Sequence, residues 1–353
     1  MCIRHPVFWA SLIYAFTSTV ICVLADESNQ DSTKIMPSYS WGRGINFPVA
    51  NLTLGGYINA SFAQEERLKS HASAEDISFF ITWSPIARLR FFSEIELEDW
   101  VSSYGVEDAS NAYRIERLYA DAFITDNLTL RLGKYLTPVG RWNVIHAGPL
   151  VWTTTRPVIT EKQYTPEHLS GAMLSQKFEL AEHSIDITLY GDNAKQLDPH
   201  KEELESDDAF GGRINIELTE QLQLGASYLN FGKSIEDIHL ARNQIFGLDV
   251  LWQYNDYEIM MEFLYRHARD FQGDKKGLYM QGVSPLFAHI FAVARYEYLE
   301  DNNRVIKDNA QLAVLGLTWR PYTPLAFKAE YRLGEHNEYI APNGFFGSIA
   351  VFF

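Results

Sequence analysis

Residues 343–353 read NGFFGSIAVFF, and the fold turns on them. In an extended backbone, successive side chains point to opposite faces. Phe345, Gly347, Ile349, Val351 and Phe353 then share one face, while Phe346, Ser348, Ala350 and Phe352 share the other. The stretch has no helical charge pattern, no cap and no polar tail. A soluble strand has little reason to finish on two phenylalanines. A strand that closes a membrane cylinder does, because its outer face meets lipid and both its edges are paired.

The residues before it carry the same period. Extended, alternating segments fall at 51–64, 73–84, 87–100, 112–124, 127–136, 169–180, 183–192, 208–218, 221–232, 242–254, 257–268, 276–285, 289–299, 310–320, 324–335 and 343–353. That predicts about sixteen strands, most of them long enough to cross a bilayer when tilted. The alternation is clearest where Leu89, Phe91, Ile95 and Leu97 oppose Arg88, Arg90, Glu94 and Glu96. It recurs where Leu325, Phe327, Ala329, Tyr331 and Leu333 oppose Lys328, Glu330 and Arg332. No convincing amphipathic helix separates these segments.

Their connections alternate as well. Tight joins such as Pro85-Ile86, Thr125-Asp126 and Asn255-Asp256 take turns with long ones such as 101–111, 137–168 and 193–207. Short turns on one side and longer loops on the other define a barrel with both chain ends in the periplasm. A soluble sandwich gives no reason for that regularity. The expected fold is therefore an all-β transmembrane antiparallel barrel over 51–353.

Composition agrees. Of the 353 residues 46% are hydrophobic and 14% aromatic, enough for two interfacial girdles. The mean hydropathy is slightly below zero, which excludes a bundle of membrane helices but suits strands that alternate. A net charge of −15 argues against nucleic acid as a partner. Residues 1–25 read as an export signal, with Arg4 in the n-region and an apolar run to Leu24. Both cysteines, Cys2 and Cys22, lie in that segment, so the rest of the chain has neither a disulfide nor a cysteine metal site. Residues 26–50 are polar and read as a periplasmic lead or a small plug.

The terminal strand resembles the C-terminal signature of bacterial outer-membrane proteins, in which a final Phe follows alternating apolar residues. The longest connection reads TPVGRWNVIHAGPLVWTTTRPVITEKQYTPEH from Thr137 to His168. It is too apolar and aromatic to hang in water, and loops of this length are usually functional. Here the chain resembles the outer-membrane porins, whose third loop folds inward as a constriction. LRLGKYLTPVGR, from Leu130 to Arg141, is similar to the matching place in the phosphate-selective porin family. These resemblances imply passive diffusion of small hydrophilic solutes or ions in the outer membrane of a Gram-negative cell. They also imply contacts with lipid and lipopolysaccharide, and a homotrimer. A polysaccharide-export barrel and an adhesive barrel with a blocked lumen are the alternatives.

The inward faces supply the expected pore lining: Arg88, Arg90, Arg131, Arg213, Arg295, Lys328 and Arg332 against Glu94, Glu96, Glu258, Glu262 and Glu330. Rings of fixed charge set ion preference. Arg141, Arg156, Glu161 and Lys162 of the loop are the expected constriction. No catalytic or cofactor site is expected. The histidines lack a zincin spacing and no nucleophile elbow occurs. Ser170 beside His168 is a loop contact rather than a hydrolase dyad. The run KEELESDD, Lys201 to Asp208, has carboxylates for Ca²⁺ but reads as a solvated charge run.

Overall fold

The structure, a computed structural model, describes residues 36–66, 69–106, 113–180, 183–192, 197–198, 204, 206, 208–232, 234–235, 238–239, 242–268, 273–302, 307–337 and 340–353. The segment read as an export signal lies outside them.

Sixteen antiparallel strands form the wall. They are β1 (Leu52–Glu65), β2 (His71–Ile86), β3 (Leu89–Ser102), β4 (Tyr113–Phe123), β5 (Leu128–Leu136), β6 (His168–Leu180), β7 (His183–Asp192) and β8 (Asp208–Glu217). The second half is β9 (Leu222–Gly232), β10 (Asn243–Tyr254), β11 (Tyr257–Ala268), β12 (Asp274–Phe287), β13 (Ile290–Asn302), β14 (Lys307–Tyr322), β15 (Leu325–Glu335) and β16 (Gly344–Phe352). Each strand pairs with its sequence neighbours. The sheet closes because β16 also pairs with β1, from Gly344↔Glu65 to Phe352↔Tyr57. Closure removes the edges that would otherwise recruit other chains. Phe353 finishes the seam: its N–H donates to Gly56 O and its carbonyl accepts from Gly56 N–H. Gly56 is required there, since a Cβ would meet Ser78 O at 2.1 Å.

The distribution of polarity is inverted relative to a soluble protein. Leu315 is 58% exposed on the outer face of β14, whereas Arg295, Glu297 and Glu330 are nearly fully buried inside. The outer face carries aliphatic residues in its middle. Trp83, Tyr254, Tyr257, Trp319 and Tyr322 ring the short-turn end, and Phe62, Tyr113, Phe210 and Phe345 lie toward the other end. An apolar band between aromatic girdles fits acyl chains, and polar side chains fill a wet interior. Among the described residues no helix is long and apolar enough to cross a membrane.

Several strands outrun the alternating segments. β13 reaches Asn302 and β14 starts at Lys307, whereas sequence alternation ends at 299 and resumes at 310. The ladder continues where the hydrophobic period stops, because Lys276 bridges Glu300 across strands at 2.8 Å and Lys275 bridges Asp301. Backbone pairing needs no apolar face once the strand has left the bilayer.

Part of the expected lead is ordered into the sheet. Ser38–Ser40 and Gly44–Phe47 form a hairpin that pairs with β1 through Ile45↔Leu54. Trp41 packs on Tyr322 with ring centroids 5.2 Å apart, at the short-turn rim.

Candidate functional site: the third loop and the cavity beside it

The third long connection runs from Thr137 to Glu167 and lies inside the barrel. Its neck is closed by Thr137 N–H donating to Glu167 O at 2.8 Å and by Asn143 Nδ2 donating to the carbonyls of both residues. A loop with four prolines cannot satisfy its backbone by regular structure, so the barrel wall does it. Glu262 of β11 accepts from the N–H groups of Arg141 and Trp142 at 2.9 and 3.1 Å. Glu330 of β15 accepts from those of Thr154 and Thr155, both at 2.8 Å. Glu297 of β13 accepts from Val158 N–H at 2.6 Å. Cations hold the carbonyls: Arg295 that of Thr155, Lys328 those of Gly148 and Thr153, and Arg320 those of Pro149 and Val151. Gly140 adopts φ +66°, and a Cβ there would strike the Glu262 carboxylate. Trp142 lies against Tyr279, and Trp152 against Phe291, sealing the loop to β12 and β13.

The loop therefore covers the wall of β11–β15 and leaves open space on the other side. A cavity of about 400 Å³ lies between it and a wall that runs from β16 and β1 round to β10, reaching down to Asp126 and Asn127 in a short turn. Val144, Ile145, His146, Ala147 and Leu150 form its loop side. The opposite wall carries a row of aromatic rings: Tyr57, Phe80, Phe92 and Tyr119 succeed one another at 5.2–5.8 Å. Arginines lie on that row, with Arg131 3.7 Å from the Tyr119 centroid and Arg117 4.9 Å from that of Phe92. Asp121 joins Arg90 and Arg131 at 2.6 and 2.7 Å, and Glu94 pairs with Arg117. Asp249 joins Arg141 and Arg213 at 3.2 and 2.7 Å.

The sequence-derived lining thus divides by role. Arg90, Glu94, Arg131 and Arg213 border the cavity. Glu262, Arg295, Lys328 and Glu330 lie under the loop as its anchors. Glu96 takes hydrogen bonds from Tyr57 and Ser78, Glu258 from Gln253, and Arg332 pairs with Glu65 at 3.0 Å. Arg88 sits in the turn between β2 and β3, exposed and 2.8 Å from Asp126, because β3 begins only at Leu89 and the expected segment began at 87.

The four loop residues also part company. Arg141 borders the cavity and donates to Asp249, Gln223 and Asn215. Arg156 points into the loop's own interior, at 2.5 Å from Glu167 and bonded to Asn143 and Thr160. Lys162 bridges to Glu98 at 2.9 Å. Burial pushes the Glu161 carboxyl up to about 7 against the pull of Arg156. Burial also works against charge on Glu167, but Arg156 and Lys162 outweigh it and hold that carboxyl well below the usual range.

Reading the strands with a strict period of two misses Glu116; Arg117 stays in phase with Tyr119 and Asp121. A bulge in β4, where Glu94↔Arg117 is followed by Ile95↔Ile115, leaves Glu116 as the extra residue and turns it against His168. Asp121 and Asp249 were within reach of the period, since both fall on inward registers. Ser170 Oγ accepts from Leu197 N–H while His168 Nε2 lies 2.9 Å from Glu116, so the two are not aligned as a dyad. In the 201–208 run, Asp208 pairs with Arg242 at 2.8 Å and Leu204 is buried; most of the other residues lie outside the described ones.

A sixteen-stranded barrel with an apolar outer belt is the architecture of bacterial outer-membrane proteins. The solved structures it resembles agree in fold. They include Salmonella typhi OmpF in complex with daunomycin, with a TM-score of 0.63 at 12% identity, covering 90% of this chain and 99% of that one. An anion-selective porin from Comamonas acidovorans gives 0.62 at 11%, covering 86% and 99%. In-vitro folded OmpT of Vibrio cholerae, in a trimer form, gives 0.61 at 11%, covering 86% and 99%. An uncharacterized protein of Aquifex aeolicus is 23% identical over 334 aligned positions, covering 79% of this chain and 75% of its own length. No known family profile matches the sequence.

Proposed function

We propose that the chain is a diffusion channel of the outer membrane for small hydrophilic solutes and ions, with the third loop narrowing the passage. The observation that carries this reading is the loop's uneven anchorage: side chains of β11, β13 and β15 hold its main chain, and a charged cavity remains beside the strands across from them. Barrels of sixteen to eighteen strands leave an aqueous channel. No chemical step is needed for that role.

The cavity favours anions. Six basic groups border it (Arg90, Arg117, Arg131, Arg141, Lys177 and Arg213) against four acidic ones (Glu94, Asp121, Asp126 and Asp186). The arginine pair on the aromatic row, Arg117 and Arg131, is the feature that supports the phosphate-selective resemblance; Asp121 and Glu94 already engage it and set phosphate apart from a simple preference. A homotrimer, with lipid and lipopolysaccharide around it, fits the outer belt.

The test is a planar-bilayer recording of the refolded protein. Stable ohmic steps and a reversal potential of anionic sign in a KCl gradient are expected. Phosphate that reduces the chloride current at millimolar concentration supports the finer reading. Silence from protein that still shows heat-modifiable migration replaces the channel by the blocked barrel, and a cationic reversal potential overturns the charge argument.

A further inference from the structure

The bulge that turns Glu116 inward brings it into a buried cluster that the channel reading does not use. One ligand atom each of Glu116, Glu167 and His168 lie within 4.8 Å of one another. The three come from different places: the bulge of β4, the last residue of the loop and the first residue of β6. His168 Nε2 is 2.9 Å from Glu116 Oε1. A second imidazole stands beside these three from the loop, as His146 Nε2 is 3.7 Å from the same oxygen. His146 Nδ1 lies 2.9 Å from Asn143 O, which assigns the proton to Nδ1 and turns the Nε2 lone pair toward the carboxylates.

We propose that this cluster is a binding site for a divalent transition-metal ion, of which zinc is the type, in the wall of the pore. Two carboxylates and an imidazole, with the second imidazole of His146 at hand, are a ligand set for zinc, and bonds of about 2.0–2.1 Å place tetrahedral ligands about 3.3 Å apart. The observed 2.9 and 3.7 Å bracket that value. Glu167 is fully buried, and its Oε2 has no hydrogen-bond partner. Its other oxygen is taken by Arg156 at 2.5 Å, which fixes the carboxylate as the carboxylate–cation contacts around metal sites do. The nearest competitor is Lys162, whose Nζ is 3.6 Å from Oε2 and 2.9 Å from Glu98; Glu98 retains it when an ion arrives. His146 borders the cavity, so an ion enters from the lumen. Binding ties the loop to β4 and β6, at the end opposite the anchors of β11–β15.

The experiment uses the full barrel refolded in detergent, cleared of metal with a chelator and titrated with ZnCl₂ by calorimetry. Cobalt(II) chloride serves as the optical probe, because a four-coordinate site gives strong visible absorption. One equivalent is expected per chain. His146→Ala removes a loop-side donor without touching the wall and is expected to weaken zinc at least tenfold, and Glu116→Gln to weaken it further. His289→Ala, in an exposed turn, is the control and leaves binding unchanged. Binding that survives both site variants, or no saturable binding by the parent protein at millimolar zinc, overturns the proposal. If Glu116→Gln fails to refold, His146→Ala and the cobalt spectrum decide alone. The readout needs no conductance, so it stands or falls apart from the channel reading.

Discussion

Arg141 and Arg156 look equivalent in the sequence, as two arginines in one loop, and the structure separates them. Arg141 borders the cavity, bridged to Asp249 and two amides, whereas Arg156 is locked behind the loop on Glu167. Arg141→Ala is expected to remove one of the cavity's positive charges, so the reversal potential in a salt gradient shifts toward cations. Arg156→Ala is expected to leave selectivity nearly unchanged and to raise open-channel noise instead. Equal shifts in the two variants would place both at the narrow point. Glu161 gives a pH-dependent outcome. Its folded-state value near 7 lies above the ordinary carboxylate value of about 4.3, so between those limits the folded protein holds more protons than the unfolded chain. Stability from this group is therefore greatest below that window and is lost as pH rises through it. Glu161→Gln should gain stability relative to the parent at pH 8, on the order of 1–3 kcal/mol, and little at pH 5. Urea unfolding in micelles at both pH values measures it; a gain that is the same at both removes the shifted carboxylate. None of this was legible in the sequence, because which side an arginine in a loop turns to depends on how the loop folds: Arg141 meets partners on β8, β9 and β10, whereas Arg156 meets partners within the loop itself.

At the scale of the element, the strands were legible and the loop was only half so. Period-two alternation located all sixteen strands because lipid on one face and water on the other enforce it. It failed at two kinds of place. Above the bilayer the enforcement lapses; β13 extends on ion pairs to β12, and β14 follows it through the backbone ladder. At the β4 bulge Glu116 leaves the period, and with it goes the cluster at His168. Length and aromatic content announced an inward loop, yet not which wall it would face. That choice is made by Glu262 of β11 and Glu330 of β15, which were read as bare pore lining, together with Glu297 of β13. Glu330→Ala tests the anchoring. It strips acceptors from Thr154 N–H, Thr155 N–H and Thr155 Oγ1. Buried donors left without partners cost roughly 1–3 kcal/mol. Recordings should show a noisier channel, and the folded gel form should melt at lower temperature. Glu300→Ala removes a partner of Lys276 above the bilayer, and an exposed pair of that kind is worth about 0–1 kcal/mol. Similar losses in the two variants would mean that the loop is not held by its carboxylates.

The whole molecule rests on which solvent meets its outer face. Leu315 and Trp319 both point outward from β14 and are exposed to a similar degree. In water the two positions would tolerate an arginine about equally. In a bilayer they differ. Trp319 lies three residues from the short-turn end of the strand, among the girdle aromatics, where an arginine costs about 0–1 kcal/mol. Leu315 stands four residues farther along the same strand, near the middle of an apolar band about 25 Å tall, where the cost is about 2–4 kcal/mol. Unfolding titrations in lipid vesicles should therefore separate Leu315→Arg from Trp319→Arg by at least about 1 kcal/mol. The same pair measured in detergent micelles, whose thickness adapts to the protein, should differ less. If the two arginines cost the same in vesicles, the outer face does not span hydrocarbon, and the buried charges inside the barrel would need an explanation other than a water-filled passage.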